Sequence, residues 1–340
     1  MDCKFDSLVG PFRSWEEKVV AVLHVVRRRE LIHYDPKKRF WKLTRFCEFN
    51  IAMFDYDKES EVVHGPLFRK IHPSEYYRLE NSRNVISIKV AIAKSDAPYP
   101  INIYGTILVR DQSDYRCVYL FKRGRDNPQL ITRKNRMLAL TGPYRALCTT
   151  GNLYFEFHLK IKGEGAVDEY FSRGFVDCHG LNDTPRRPSI ISFESHLSKM
   201  DMVFVPALRA LEASIGVNFM NGKSIFTGKI LASTSGNDTC KMVLYDSEVA
   251  GTKRELGSVG SVPLSRHVVA VPFGEDLLLY FSVLDSYNKS RRLKFVISKD
   301  VDTRTCNLGT YKLKVNIMWK GVFRRSCAKW KVIGDNLLLC

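Results

Sequence analysis

The residues most able to do chemistry are cations packed closely along one stretch: Lys122, Arg123, Arg125, Arg133, Lys134 and Arg136. Asp126 is the only acid among them, and Tyr115, Tyr119 and Phe121 stand nearby. Charges at this density can neutralise successive phosphates of a nucleic-acid backbone, and neighbouring rings can stack on bases. The same charges also suit a solvated sheet edge, where they block edge-to-edge pairing, and no recognisable nucleic-acid module accompanies them. These six residues are the candidate anion or nucleic-acid contact. A second basic passage, Arg27 to Arg29 with Lys37 to Arg39, Lys42 and Arg45, fits a nuclear address or an anionic-surface patch. A third surrounds Trp330, with Lys320, Arg324, Arg325, Lys329 and Lys331.

Other chemistries lack their residues. Cys178 and His179 are adjacent but have no second pair at zinc-ligand spacing, so no metal site is expected. Gly257-Ser258-Val259-Gly260-Ser261 has glycine and serine at the wrong spacing for a nucleophile elbow and reads as a loop. No phosphate-binding glycine loop is present, so no cofactor is expected. Asp111 and Asp114 fall in a hairpin turn, where aspartate serves turn chemistry. Arg110-Asp111 and Arg125-Asp126 read as ion pairs that shape turns. No catalytic residue can be assigned.

These side chains sit on a chain of 340 residues with 45% hydrophobic residues and a formal charge of +17, enough apolar content to bury a core. No run reaches the roughly 18 apolar residues of a spanning helix, which excludes a multipass membrane protein. The 9 cysteines are scattered, odd in number and without a C-x-x-C pair, a pattern of reduced thiols. Asp2, Asp6, Glu16 and Glu17 precede the short run Val19 to Val26, so no secretory signal is read, and the expected location is cytoplasmic or nuclear.

Ser14 and Glu17 form a capping-box signature, which predicts a helix from Trp15 to Arg29. An irregular lead-in follows. From Val85 the text alternates apolar and polar residues, as antiparallel strands with one wet face require. Leu153, Phe155, Phe157, Leu159 and Ile161 make one such row, with Glu156, His158, Lys160 and Lys162 opposite. Tyr311, Leu313, Val315, Ile317 and Trp319 make another. The strands also echo one another. Ser87 to Ile92 resembles Ser214 to Phe219, Gly105-Thr106-Ile107-Leu108 resembles Gly228-Lys229-Ile230-Leu231, and Cys117 resembles Cys240, each at an offset of about 123 to 127 residues. The expected fold is therefore mostly β: two similar antiparallel β units, sandwich or barrel-like, with a partly helical N-terminal lead-in. The expected organisation is a lead-in over 1–84 and a repeated β domain over 85–320, followed by a basic tail over 321–340. Within the β domain the units fall at about 85–162 and 210–285, each with an extension.

Ile103-Tyr104-Gly105-Thr106-Ile107, Arg110-Asp111, Leu120 to Arg123, Arg125-Asp126, Gln129 and Leu138 to Ala146 occur in an order that resembles a plant domain of unknown function. That family is expanded in grasses. The likeness runs on through Phe155-Glu156-Phe157 to Trp319, and Asp55 to Ser60 with Gly65-Pro66 resembles its usual lead-in. Some members are fused to ribosome-inactivating proteins, and the resemblance implies no catalytic residue for the domain itself. Leu211-Glu212-Ala213-Ser214-Ile215 is the segment nearest to a glycosidase helix, but Ile215 replaces the arginine and the segment belongs to an expected strand.

Two functions follow as expectations. One is a non-enzymatic interaction module with a basic surface, possible partners being RNA, the ribosome or an acidic protein, with a role in stress or defence. The alternative is an RNA N-glycosidase activity linked to the ribosome-inactivating proteins.

Overall fold

Two short elements lead the chain: helix α1 (Trp15–Glu30), which begins where the capping signature places it, and a hairpin of β1 (Ile32–Asp35) and β2 (Phe40–Leu43). The computed structural model describes residues 15–35, 39–47, 55, 57–93, 99–149, 151–165, 167–178, 184, 186–195, 197–220, 224–284, 289–309 and 311–323. Ser14, Lys37, Lys38, His179 and the tail beyond Phe323 lie outside the described residues. The rest is mostly β, in open antiparallel sheets that do not close into a barrel.

The first set of strands is β3 (Ser82–Ile92), β4 (Ile101–Arg110), β5 (Val118–Arg123), β6 (Gln129–Ile131), β7 (Leu153–Ile161), β8 (Glu169–Cys178), β9 (Ser189–Glu194) and β10 (Ser198–Ala207). They form one sheet in the order β3-β10-β9 and another in the order β5-β4-β7-β8, with β6 also beside β4. The second set is β11 (Ala210–Phe219), β12 (Gly228–Thr234), β13 (Asn237–Asp246), β14 (Val268–Pro272), β15 (Leu277–Leu284), β16 (Ser290–Ile297), β17 (Thr303–Leu308) and β18 (Tyr311–Gly321). These form sheets in the orders β14-β11-β18-β17 and β13-β12-β15-β16. Strand for strand the two sets pair alike, apart from β6 and β14.

Each set encloses its own core, so the architecture is two sandwiches. Val85, Ile88, Ile107, Leu120, Phe155, Phe157 and Met202 fill the first. Leu211, Val217, Ile230, Leu244, Phe281, Val315 and Trp319 fill the second. Burying each such side chain stabilises the fold by about 1.5–3 kcal/mol. Gly105 in β4 and Gly228 in β12 show how closely the strands approach. An added Cβ would lie 2.2 Å from the His158 carbonyl oxygen in one and 2.4 Å from that of Ser282 in the other, which only glycine avoids.

A seam of small residues, Ala146, Ala207, Ala210, Ala270 and Val322, lies where the sandwiches meet. Asn84 spans it, donating through Nδ2 to the Ala270 carbonyl at 2.6 Å and accepting from the Ala270 amide at 2.9 Å. The lead-in is divided between the two bodies: Phe46 and Cys47 pack on Tyr154 of β7, whereas Phe68, Ile71 and Leu79 join the second core. One expectation needs correcting. Glu156 belongs to the row of β7 read as wet, yet it is buried, because the lead-in covers that part of the sheet.

Candidate functional site

Ile230, Ala232, Met242, Leu279 and Phe281 point into the second core. By the two-residue period of a strand, the opposite face of the same sheet presents Lys229 and Leu231 from β12, Lys241 from β13, Tyr280 and Ser282 from β15, and Arg292 and Lys294 from β16. Pairing aligns them in rows. Lys229 stands opposite Ser282 and Ser282 opposite Arg292, while Leu231 stands opposite Tyr280 and Tyr280 opposite Lys294. Neighbouring strands are ~4.8 Å apart, so Lys229 and Arg292 flank Ser282 across about 10 Å. Together these residues line an open depression of about 430 Å³.

Tyr280 forms its floor. The Lys241 and Lys294 ammonium groups lie 4.1 Å and 5.3 Å from the centroid of its ring. Lys294 Nζ also sits 2.9 Å from Asp238 Oδ2, and the Tyr280 hydroxyl donates to Asp238 Oδ1. These bonds, from Tyr280 and then Lys294, hold the Asp238 carboxyl below its usual range. The same carboxylate raises the Lys294 ammonium. Lys229 pairs with Asp246 at 2.7 Å. Lys241 and Arg292 make no ion pair among the described residues. Such a face can bind an anion by charge and by hydrogen bonds. Among the described residues no group of His, Cys, Asp and Glu is placed to hold a metal.

The cations singled out by sequence are placed differently, in two groups along β4. Arg123 of β5 pairs opposite Gly105, whereas β6, which leads to the turn bearing Arg133, Lys134 and Arg136, pairs opposite Ile101 to Ile103. Lys122 Nζ lies 4.1 Å from the Tyr119 ring centroid and 3.9 Å from Glu59 Oε2. Arg123 donates to Asn127 and, across to the second sandwich, to the Ala250 carbonyl, each at 3.3 Å. Arg125 pairs with Asp168 at 2.7 Å and donates to the Gly163 and Gly165 carbonyls, which fastens a loop. Arg136 donates to the Arg133 carbonyl and lies 5.7 Å from the Tyr99 ring centroid. Arg133 and Lys134 are exposed.

The expected local ion pairs are replaced by long-range ones. Arg125 takes Asp168 rather than Asp126. Arg110 pairs with Glu156 at 2.7 Å, and Asp111 with Arg145 at 2.6 Å. Burial opposes the charge on Glu156, but Arg110 and then Arg45 outweigh it and hold the carboxyl below its usual range. Asp111 is likewise buried and held low by Arg145, helped by the Cys148 and Ser113 amides. Asp114 lies 3.6 Å from Arg145, so both aspartates of the turn serve one guanidinium. Glu212 is on strand β11, and its carboxylate accepts the Ala146 amide at 2.7 Å inside the seam.

Sequence reasoning missed the depression because its cations come from strands far apart in the chain. The usable signal was the outward row of each strand: Lys229 with Leu231, Tyr280 with Ser282, Arg292 with Lys294.

Fold and site together define a two-sandwich β protein with an open basic face. The sequence profile of the family described as Domain of unknown function (DUF6598) matches residues 82–317, and the chain belongs to that family. No curated protein matches it. Among solved structures it is similar to the paired C2 domains of Extended-Synaptotagmin 2, with a TM-score of 0.25, 10% identity and coverage of 79% of this chain and 97% of that one. It is also similar to human GIVD cytosolic phospholipase A2 in complex with methyl gamma-linolenyl fluorophosphonate, with a TM-score of 0.24 and 9% identity. There the match covers 71% of this chain and 32% of the phospholipase, so this chain spans about a third of that protein.

Proposed function

We propose that the chain is a non-enzymatic interaction module that binds an acidic partner on the outer face of its second sandwich. The observation behind this reading is the convergence of Lys229, Lys241, Arg292 and Lys294 around Tyr280, with Lys241 and Arg292 outside any ion pair among the described residues. Cations held on a sheet need little reorganisation when a carboxylate or phosphate arrives, and their summed field steers the encounter. RNA, the ribosome and an acidic protein all carry such groups. A plant source, a part in stress or defence and a cytoplasmic or nuclear location enter this proposal from the sequence alone. The alternative RNA N-glycosidase reading draws no support from Glu212, whose carboxylate is engaged at the seam.

Retention of the full chain on immobilised heparin tests the proposal. Replacing Lys229, Lys241, Arg292 and Lys294 with Gln should bring elution to clearly lower salt, and more so than replacing Arg133, Lys134 and Arg136. Equal elution of the first variant and the parent overturns it.

A further inference from the structure

We infer that the basic face of the second sandwich docks a short acidic segment of a partner's polypeptide chain. This rests on the function proposed above and adds the kind of occupant. It comes from what covers the corresponding face of the first sandwich. Gly105 and Gly228 hold the same place in β4 and β12, each pressed on a carbonyl of the neighbouring strand. Counted from these glycines, Leu108, Glu156 and Phe175 form the cross-strand row that Leu231, Tyr280 and Lys294 form in the second sandwich.

In the first sandwich that row is covered by residues 43–47 of the chain itself. The Phe46 ring lies 4.2 Å from that of Tyr154, and its amide donates to Glu156 Oε1 at 3.1 Å. Arg45 Nε meets Glu156 Oε2 at 2.9 Å. A sheet face of this build thus takes a short peptide segment, aligned by one backbone hydrogen bond and one charge pair. In the second sandwich the row is open and the sign is reversed. Tyr280 holds the place of Glu156 and Lys294 that of Phe175. With Lys294 engaged by Asp238, Lys241 and Arg292 beside them are set to take carboxylates.

Two features favour a peptide over other anions. The Tyr280 ring is already attended by the Lys241 and Lys294 ammonium groups, so a base that stacked on it would first have to displace them, whereas a carboxylate can meet them where they stand. Leu231 also lines the depression, and a peptide brings apolar atoms to cover it where a bare polyphosphate does not.

The test is fluorescence anisotropy of the full chain at about 50 mM salt. The probes are a fluorescein-labelled octapeptide of alternating Asp and Leu, a labelled 12-nucleotide RNA, and inositol hexakisphosphate as competitor. The octapeptide should bind more tightly than the RNA, and Lys241→Gln with Arg292→Gln should weaken it about tenfold. Both side chains are free of ion pairs among the described residues, so circular dichroism melts should coincide with those of the parent. A melt that shifts moves the comparison to each single variant. An octapeptide that fails to bind, or binds equally to the variant, overturns the inference. If RNA or hexakisphosphate binds in its place and the double variant abolishes that binding, the acidic-partner function stands and the peptide falls. If none of the probes responds to the variant, both fall.

Discussion

The ammonium of Lys241 stands 4.1 Å from the centroid of the Tyr280 ring, although β13 and β15 are separated by β12. The side chain therefore reaches across an intervening strand to lie on an aromatic floor. An exposed cation over a ring gains about 0.5–1 kcal/mol. That is small for stability but enough to keep the charge over the depression rather than ranging through solvent.

Removing the ring while keeping an apolar residue separates these two effects. Tyr280→Leu should lower stability in urea by no more than about 1 kcal/mol and weaken binding of an acidic partner severalfold. A variant that binds as tightly as the parent would show that the ring does not position the lysines.

Beneath the lead-in, Arg110 is fully buried and Glu156 nearly so, at 0% and 4% side-chain exposure. Glu156→Ala leaves Arg110 without that counter-charge and should cost about 3–5 kcal/mol in denaturant unfolding. Arg45→Gln, at the 25% exposed end of the same network, should cost about 1 kcal/mol. Similar losses in the two variants would contradict the burial argument.

Acid should destabilise the protein in two stages. Asp111 and Glu156 are held below the usual carboxyl range by their arginines, despite burial. They add stability above an unfolded pKa of about 4, and it is lost as pH falls through the lower folded values. Burial lowers the His64 imidazole, although Glu212 and the Ala146 carbonyl oppose it. The unfolded chain then takes that proton first, so stability falls below about pH 6.5. The melting temperature should decline gently below about 6.5 and steeply below about 4, with the gentle phase reduced in His64→Gln; what remains belongs to His158, which burial and then Arg173 also lower. A parent curve level from pH 8 to 5 would contradict the role given to His64.

Arg266 is buried at 1% exposure, donates to the Val85 carbonyl, and leaves its Nε without a partner. Burial pushes its pKa down to about 9. A base with a depressed folded pKa costs stability below that value, and the cost is relieved as pH rises through it. Arg266→Met should therefore match or exceed the parent in urea at pH 7, by up to about 4 kcal/mol. A large loss would show that the Val85 bond outweighs the buried charge.

Much of the fold was legible in single strands. The apolar row of β18 is buried from Tyr311 to Trp319 as its alternation requires, and α1 covers the segment from Trp15 to Arg29 read as a helix. Glu156 was not legible as buried, because its strand pattern matches that of a wet row and only the distant lead-in covers it. Charge density along the chain drew attention to Lys122 through Arg136, but Arg123 and Arg125 spend their guanidinium groups on neighbouring loops. The basic face is sparse in sequence and dense in space, since β12, β13, β15 and β16 each bring one or two of its residues.

Hydrogen exchange of the full chain with and without a saturating acidic octapeptide tests the central claim most directly. The account predicts slower amide exchange in β12, β13, β15 and β16, with β5, β6 and the turn at Arg133 to Arg136 unchanged. Slowing confined to β5, β6 and that turn, with the second sandwich unaffected, would contradict it.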